Sequence, residues 1–212
     1  MPLPPVAAII LAAGLCRRFG SAKLLALWRG RPIVAHVMDR VAAARDDGIL
    51  TGAVVVHRPD DLETPRLARE WGLEPQLNPR PANGMASSLR VGLTALIAER
   101  WQPLEGAMVV LGDQPLLRGE VVEALVKAFR PSMDLVRPQY AGDPSATPGH
   151  PTIVHRRVWD RARSLTGDQG FRVLATWGNV RLGTITVPGV NPDVDTPQDL
   201  QMLEGQAEEN SR

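Results

Sequence analysis

This chain of 212 residues has one cysteine, few aromatic residues and nearly balanced charges. Its single cysteine, Cys16, excludes an intramolecular disulfide and cannot alone form a cysteine metal site. The formal net charge of +1 gives no basic footprint of the kind that dedicated nucleic-acid binders carry. No apolar run approaches the roughly 18 residues of a membrane span, and the N-terminus lacks the basic region of a secretory signal. We therefore expect a cytoplasmic protein without nucleic-acid or membrane partners.

Short apolar runs alternate with longer segments of helical period. The runs Val6–Leu11, Ala53–His57 and Ala107–Leu111 are continuous and β-rich, as in strands buried on both faces. Apolar residues at helical spacing follow each run. This alternation predicts an α/β fold, a Rossmann-like three-layer α/β/α arrangement around a mostly parallel sheet.

The second half of the chain is less regular. Pro138–Pro151 is rich in proline, glycine and serine and is interpreted as a long surface loop. Strand-like pieces at Thr152–His155 and Leu182–Val187 flank a polar helical region, and residues 205–212 are expected to form a frayed tail.

The stretch LAAGLCRRFGSAK follows the first strand, at the edge of the sheet where ligands gather. Gly14 and Gly20 let the backbone approach an anion closely, and Arg17, Arg18 and Lys23 concentrate positive charge suited to a triphosphate. A dinucleotide fingerprint needs a third glycine, and a Walker loop needs the lysine directly after the second one, so both fail on spacing. A solvated surface loop is the alternative.

The same stretch resembles the pattern L-A-[AG]-G-x-x-x-R-[MF]-G-x-x-K of the family that includes molybdenum cofactor cytidylyltransferases and guanylyltransferases, the MobA-like NTP transferases. Gly14, Arg18, Gly20 and Lys23 all fall in place against that pattern. The resemblance implies a nucleotidyltransferase fold with Lys23 and Arg18 as catalytic residues. It also implies a nucleotide-binding set consisting of Leu11, Ala12, Ala13, Gly14, Gly20 and Lys23.

The stretch VVLGDQPLL places Asp113 directly after a buried strand, at the carboxyl edge of the sheet. A Mg²⁺ ion bound to a triphosphate takes few protein ligands and prefers carboxylates. Aspartate after a strand also serves as a helix cap, which is the alternative. The family carries G-D-x-P here, and the resemblance implies that Asp113 is a catalytic residue and a metal ligand.

The stretch NPRPANGMASSLRVGL combines a loop with the first turn of a helix, where free backbone N–H groups and hydroxyls collect. Ser87 and Ser88 lie in that turn, and plain helix capping is the alternative role for them. Related transferases use a serine of this segment near the nucleotide base. By that resemblance Ser88 is preferred and Asn83 is the second candidate.

Two segments resemble the acceptor side of the cytidylyltransferase branch. PGHPTIV matches its G-[HRT]-P segment and supplies His150, although a lone histidine is more often structural. TGDQGFRVL matches G-D-x-G-x-R-x-L, which implies that Asp168 and Gly170 approach the pterin phosphate. Arg172 contributes charge there or lies at the surface.

The stretch NPDVDTPQDL resembles the family's [DN]-x-[DN]-T-P-x-D and predicts a helix start with Thr196 as the N-cap. By that resemblance Asp195 is the second metal ligand, opposite Asp113. Asp193 is the second choice, because an alternating pair points to opposite sides of a strand. Asp199 is interpreted as a charge in the first helical turn.

The resemblance implies Mg²⁺-dependent attack by the terminal phosphate of molybdopterin on the α-phosphorus of a nucleoside triphosphate, with release of pyrophosphate. Cytosine users of the family read A-A-G where guanine users read L-A-G-G, so Ala13 favours CTP over GTP. We expect one domain over residues 1–204, with a nucleotide-binding half (about 1–115) and an acceptor-binding half (about 116–204). An apo-molybdoenzyme or its chaperone is the implied recipient of the product.

Two other functions remain compatible with the sequence. One is a non-catalytic escort that carries the dinucleotide cofactor, which would have no need of Lys23, Asp113 and Asp195 together. The other is a nucleotidyltransferase for a different phosphorylated acceptor, since acceptor specificity is poorly encoded in short motifs.

Overall fold

The structure, a computed structural model, describes residues 2–15, 19, 22–101, 103–145, 147–162, 164–170, 173–176 and 179–209. The strands of this described part are β1 Val6–Ala12, β2 Leu27–Trp28, β3 Arg31–Pro32, β4 Gly52–His57, β5 Glu74–Leu77, β6 Gly106–Leu111, β7 Leu135–Tyr140, β8 Thr152–His155 and β9 Leu182–Val187. The helices are α1 Ile33–Asp46, α2 Glu63–Glu70, α3 Met85–Ala95, α4 Gly119–Ala128, α5 Trp159–Ala162 and α6 Pro197–Glu209. Among these helices, none combines the length and apolarity that crossing a membrane requires.

The central sheet has the strand order β5-β4-β1-β6-β8-β7-β9 in the described chain. β8 runs antiparallel to both of its neighbours, and every other pairing in this sheet is parallel. Parallel strands end at the same edge, so the loops after β1 and β6 emerge side by side there. The mostly parallel sheet predicted from the sequence is confirmed.

Helices cover both faces of the sheet, and β1 shows how its sequence supports this arrangement. Val6, Ala8 and Ile10 pack in the hydrophobic cluster that contains the apolar faces of α1 and α4. Ala7 and Ile9 pack in the opposite cluster, beneath α3. Because successive side chains of a strand point to opposite faces, a continuous apolar run is what a strand covered on both sides needs.

The expectation of a loop over the whole of Pro138–Pro151 is wrong at its start. Residues 138–140 complete β7, which pairs along its full length with β9. Proline usually argues against a central strand, but β8 reaches only Leu135 and Val136 on the other side of β7. Pairing with one neighbour therefore holds this proline-containing end in the sheet.

The loop of residues 165–170 docks against the start of α3 and positions that helix. The N–H of Ala86 donates to the Gly167 carbonyl at 3.0 Å, and the N–H of Met85 donates to Oδ1 of Asp168 at 3.3 Å. Gly84 makes this contact possible, because a β-carbon there would lie 2.3 Å from the carbonyl carbon of Gly167 and its φ is +78°. The start of α3 is thus capped by a distant segment of the chain.

A second polar anchor fixes the start of β7 at the opposite end of the sheet. The Asp134 side chain is 5% exposed and accepts hydrogen bonds from Arg157 Nε and from the backbone N–H of Arg181, the latter at 2.8 Å. Burial by itself would raise the pKa of Asp134, but these donors and the Arg157 charge outweigh it and lower the pKa.

Gly84→Ala is expected to lower the free energy of unfolding by about 1–3 kcal/mol, since it adds a backbone clash and a strained φ. Thermal unfolding with Gly119→Ala as the control measures this, because a β-carbon at Gly119 meets nothing within 4 Å. Equal effects of the two variants would contradict the docking described for Gly84.

Asp134→Asn is expected to lower the free energy of unfolding at pH 7 by about 1–2 kcal/mol, because the carboxylate's charge-assisted hydrogen bonds are lost. A lowered folded-state pKa contributes stability that is fully present above the unfolded value of about 3.9. That contribution disappears as the pH falls through the lower folded-state pKa. Urea unfolding of both proteins from pH 7 downward measures the difference.

The matched control for this experiment is Asp47→Asn, at an exposed position. The difference between the native protein and Asp134→Asn should be constant down to about pH 4 and shrink below it. A difference that stays the same throughout acid titration, or that Asp47→Asn reproduces, would show that the Asp134 charge is not the cause.

Candidate active site

A cleft of about 560 Å³ opens at the carboxyl edge of the sheet, where β1 and β6 end. Its walls come from the loop after β1, the start of α3, the 165–170 loop and the segment before α6. The residues predicted from the sequence that line this cleft are Leu11, Ala13, Gly14, Lys23, Ser88, Asp113, Asp168, Asp193 and Asp195.

Lys23 joins the two aspartates at the floor of the cleft. Its Nζ donates to Oδ2 of Asp113 at 2.7 Å and to Oδ1 of Asp195 at 3.1 Å. The side chain is 10% exposed and starts a single 3₁₀ turn, Lys23–Leu25. The structure therefore brings together the residues that the sequence predicts as catalytic lysine and metal ligands.

The charge of Lys23 is secured by these partners. Burial alone would lower the pKa of the ammonium, but the carboxylates of Asp113 and Asp195 outweigh it and raise the pKa above its ordinary value. Lys23 is consequently a cation throughout the neutral pH range.

The segment before α6 holds Asp195 in position through a capping box. Oδ2 of Asp199 accepts from the backbone N–H groups of Asp195 and Thr196 at 2.9 and 2.7 Å, and Oγ1 of Thr196 accepts from the N–H of Asp199 at 3.2 Å. The N–H of Val194 donates to the Asp113 carbonyl at 2.9 Å. The loop after β6 and the segment before α6 are therefore fixed to each other at the cleft.

Asp193 departs from the expectation of opposite orientations, because it lines the same cleft as Asp195. Residues 191–195 belong to no strand, so strict alternation of side chains does not apply. Asp193 accepts from Nε2 of Gln114 at 2.7 Å. Desolvation of its carboxylate, together with the negative charge of Asp113, raises the pKa of Asp193.

Gln114 and Asn191 form a network that the sequence motifs did not reveal. Nε2 of Gln114 donates to the Asn191 carbonyl at 3.1 Å, and Nδ2 of Asn191 donates to Oε1 of Gln114 at 3.1 Å. Both residues stand inside recognised motifs, next to Asp113 and two residues before Asp193. Their closeness in sequence to those aspartates could have marked them as site residues. Their pairing with each other could not be read from the sequence, because they are 77 positions apart.

The wall of the cleft formed by the start of α3 carries a serine hydroxyl that is held by a buried asparagine. Nδ2 of the buried Asn78 donates to Oγ of Ser87 at 2.8 Å and to Oγ of Ser88 at 3.0 Å. The Ser88 oxygen is thus an acceptor toward Asn78, and Ser88 lines the cleft. Asn78 is a positioning residue that sequence reasoning missed.

Two predicted nucleotide-side residues are placed differently from Ser88. Asn83 ends the 3₁₀ turn Pro81–Asn83, is exposed, and is not among the residues lining the cleft. Ala12 packs into the core beneath α1 and is 2% exposed. Arg18 and Gly20 lie outside the described residues, as do Cys16, Arg17 and Arg172.

The predicted acceptor residues do not form one group. Asp168 lines the cleft and caps α3 by accepting from the N–H of Met85. Gly170 lies against the same methionine, because a β-carbon at Gly170 would meet Sδ of Met85 at 3.0 Å. His150 lies elsewhere: its carbonyl accepts from Tyr140 Oη at 2.8 Å and from Nδ2 of Asn191 at 3.4 Å.

A second cavity of about 410 Å³ opens near His150 and shares Asp193 with the cleft. Its walls are largely apolar and include Tyr140, Pro192, Met202 and Leu203. Burial raises the pKa of Tyr140 to about 12, so its hydroxyl remains protonated and bonded to the backbone.

The donor atoms at the cleft floor suit a hard divalent cation. Within the described ranges, no group of three or more His, Cys, Asp or Glu side chains is arranged to hold a metal ion. Mg²⁺ needs only one or two carboxylates when substrate phosphates complete its shell. Asp113 and Asp195 supply such a pair and already converge on one cationic group.

Comparison with known proteins agrees with this arrangement. The MobA-like NTP transferase domain matches residues 8–181. The chain is 29% identical over 209 residues to a probable molybdenum cofactor guanylyltransferase of Deinococcus radiodurans, covering 97% of each chain. A protein with the same name from Bacillus licheniformis is 29% identical over 204 residues, which cover 92% of this chain and 95% of the relative.

Among solved structures, Rv0371c from Mycobacterium tuberculosis H37Rv matches with a TM-score of 0.76 and 24% identity, over 95% of this chain and 98% of that chain. This likeness concerns the fold alone. The matched domain spans most of the sequence, and its strand ends build the cleft that contains Lys23. On that basis the chain belongs to the MobA-like NTP transferase family and is a nucleotidyltransferase.

Proposed function

We propose that this protein transfers CMP from CTP to the terminal phosphate of molybdopterin and releases pyrophosphate. The observation that carries the proposal is the convergence of Lys23, Asp113 and Asp195 on one point of the cleft floor. A phosphate-binding cleft with a buried cation and two carboxylates is suited to phosphoryl chemistry rather than to acyl or hydride transfer. The relatives named as molybdenum cofactor transferases support molybdopterin as the acceptor.

The chemistry asks for positioning and charge neutralisation rather than for a general base. The acceptor phosphate is already anionic at neutral pH, and it attacks the α-phosphorus as the bond to the β-phosphate oxygen breaks. Lys23 neutralises charge that gathers on the α-phosphate and on the leaving pyrophosphate. Arg18, which lies outside the described residues, is proposed to assist it.

Asp113 and Asp195 are the proposed ligands of Mg²⁺, with Asp193 beside them. The ion would supply charge neutralisation on the phosphate oxygens. Lys23, which bonds to both carboxylates, would supply a further positive charge beside the phosphate oxygens. The capping box at Thr196 and Asp199 keeps Asp195 in place.

The second cavity is the proposed acceptor pocket. It adjoins the cleft through Asp193, and its volume of about 410 Å³ lies in the range of small-molecule sites. Its apolar walls suit a flat heterocycle, and its position brings an acceptor phosphate toward the metal ligands. This pocket replaces Asp168 and Gly170 as the proposed acceptor contact, while His150 retains a role through its backbone beside Tyr140.

CTP is the proposed donor because Ala13, a lining residue of the cleft, stands where guanine users of the family carry glycine, and a β-carbon at this turn is proposed to crowd a larger purine. The cytidylyl-type segments at His150 and Asp168 support the same choice. GTP is the second candidate, because two relatives that match over at least 95% of their own length are named probable molybdenum cofactor guanylyltransferases. The Ser88 hydroxyl can donate to an acceptor atom of either base.

Pyrophosphate release with Mg²⁺ and molybdenum-loaded molybdopterin, in parallel with CTP, GTP and ATP, tests the substrates. Turnover with CTP but not GTP is expected. Turnover with GTP alone would overturn the choice of base. Pyrophosphate release only with some other phosphorylated acceptor would overturn the molybdopterin assignment, and nucleotide binding without any release would favour the escort function.

Lys23→Ala and Asp113→Ala are each expected to lower kcat by about a hundredfold or more, as loss of a charge-stabilising contact does. Steady-state pyrophosphate release measures this, with circular dichroism to verify folding. Lys127→Ala is the control, since Lys127 is exposed on α4 and pairs with Glu123. Nearly full turnover in either cleft variant would contradict the proposed roles.

A further inference from the structure

A third cavity, of about 500 Å³, lies outside the cleft and shares no lining residue with it. It is bounded by the β2–β3 hairpin, by α1, by the start of α4 and by the turn after β9. It shares Val190 with the proposed acceptor pocket, but none of its arginines lines that pocket. We name it the arginine cavity because Arg29, Arg40 and Arg118 line it.

The charge balance of the arginine cavity is strongly positive for a chain whose net charge is +1. Its three arginines face one lining carboxylate, Glu120, which is 82% exposed and lies 3.9 Å from Arg118 Nη1. Solvent at such a carboxylate screens most of its attraction. Asp39, beside Arg40 in the sequence, is the other nearby acid, and Arg40 forms no salt bridge with any residue that the structure describes.

The other two arginines contact neighbouring groups, Arg29 from an exposed position and Arg118 from a half-buried one. Arg29 lies over the Trp28 ring, 4.8 Å from its centroid, at a turn that requires positive φ at both Arg29 and Gly30. Arg118 donates to the Pro188 carbonyl and packs against Gly189. Guanidinium groups restrained by such contacts form bidentate contacts with oxyanions at a lower entropic cost than free ones.

Trp28 forms part of the remaining wall. It is 4% exposed, and its Nε1 is buried and has no hydrogen-bond partner among the described residues, so it does not reach the surface of the cavity. The charged donors of this cavity are therefore its arginines. His36 adds no charge, because burial lowers its pKa and its Nε2 contacts the Trp28 carbonyl at 2.8 Å.

We propose that the arginine cavity is a second anion site, which binds a small phosphate-bearing molecule independently of the catalytic cleft. Its volume is that of a small-molecule site, and its donors match phosphate oxygens. The phosphate comes either from a free inorganic anion or from a phosphorylated metabolite. The proposal does not depend on the identity of the donor nucleotide or of the acceptor.

Isothermal titration without divalent cations, at constant ionic strength, tests the proposal with inorganic phosphate, pyrophosphate and glycerol 3-phosphate as probes. Saturable binding of at least one probe is expected in the native protein. Tighter binding of pyrophosphate would identify free inorganic anions as the source, and tighter binding of glycerol 3-phosphate would identify organic phosphates. No saturable binding of any probe would overturn the proposal.

Variants locate the binding. Arg40→Gln should weaken it by about tenfold, since one charge-assisted contact is lost, and Arg40→Glu should abolish it. Arg40 is exposed and without a salt bridge in the described chain, so both variants should fold. Lys23→Met removes the cation that the proposed reaction places beside pyrophosphate, so it reports any probe that binds in the catalytic cleft. The binding that Arg40→Gln weakens should persist in Lys23→Met.

Arg161→Gln is the matched control, because Arg161 is an exposed arginine that lines a different cavity at the opposite edge of the sheet. If Arg161→Gln or Lys23→Met weakens the binding and Arg40→Gln does not, the assignment to this cavity is overturned. Binding of a glutamate-rich peptide in the absence of phosphate binding would likewise overturn it, in favour of a protein ligand.

Discussion

The ion pair of Lys23 with Asp113 and Asp195 is the interaction on which the site depends. It connects residues that are 90 and 172 positions apart in the chain. Largely burying an ammonium and two carboxylates is costly unless they neutralise one another, so this contact contributes little net stability. Its value is that three charged groups are held at one point before any substrate arrives, which reduces the reorganisation that catalysis requires.

The surroundings of this ion pair are built to keep it in place. Val194 is fully buried with Trp28, Ile33 and Leu203, and its N–H bonds to the Asp113 carbonyl. The apolar side chain between two aspartates therefore anchors the segment, while the carboxylates on either side remain in the cleft. The capping box at the start of α6 supplies the second anchor.

A similar division holds on the nucleotide side. Gly84 allows the 165–170 loop to approach the start of α3, and Asp168 then satisfies the N–H of Met85. Asn78 orients the Ser87 and Ser88 hydroxyls from beneath. Residues that touch substrate in the proposed reaction are thus positioned by others that do not. The arginine cavity shares Trp28 with the apolar cluster around Val194 and shares no lining residue with the cleft.

The sequence by itself determined the layers of the fold and the order of the site motifs. The apolar run of β1 predicted a strand buried on both faces, and the structure has that strand. The position of Asp113 after β6 could be predicted as well, because a strand and the residues that follow it are neighbours in sequence. The capping role of Thr196 and Asp199 was equally local, since the pair is three residues apart.

Only the tertiary structure decided which of these residues meet. It placed Lys23 between the two aspartates, turned Asp193 into the same cleft, paired Gln114 with Asn191 and bonded Asp168 to the start of α3. It also extended β7 through Pro138, where pairing with β9 outweighs the local preference for a loop. Each outcome depends on hydrogen bonds or packing between segments far apart in sequence, and local periodicity carries no information about such distances.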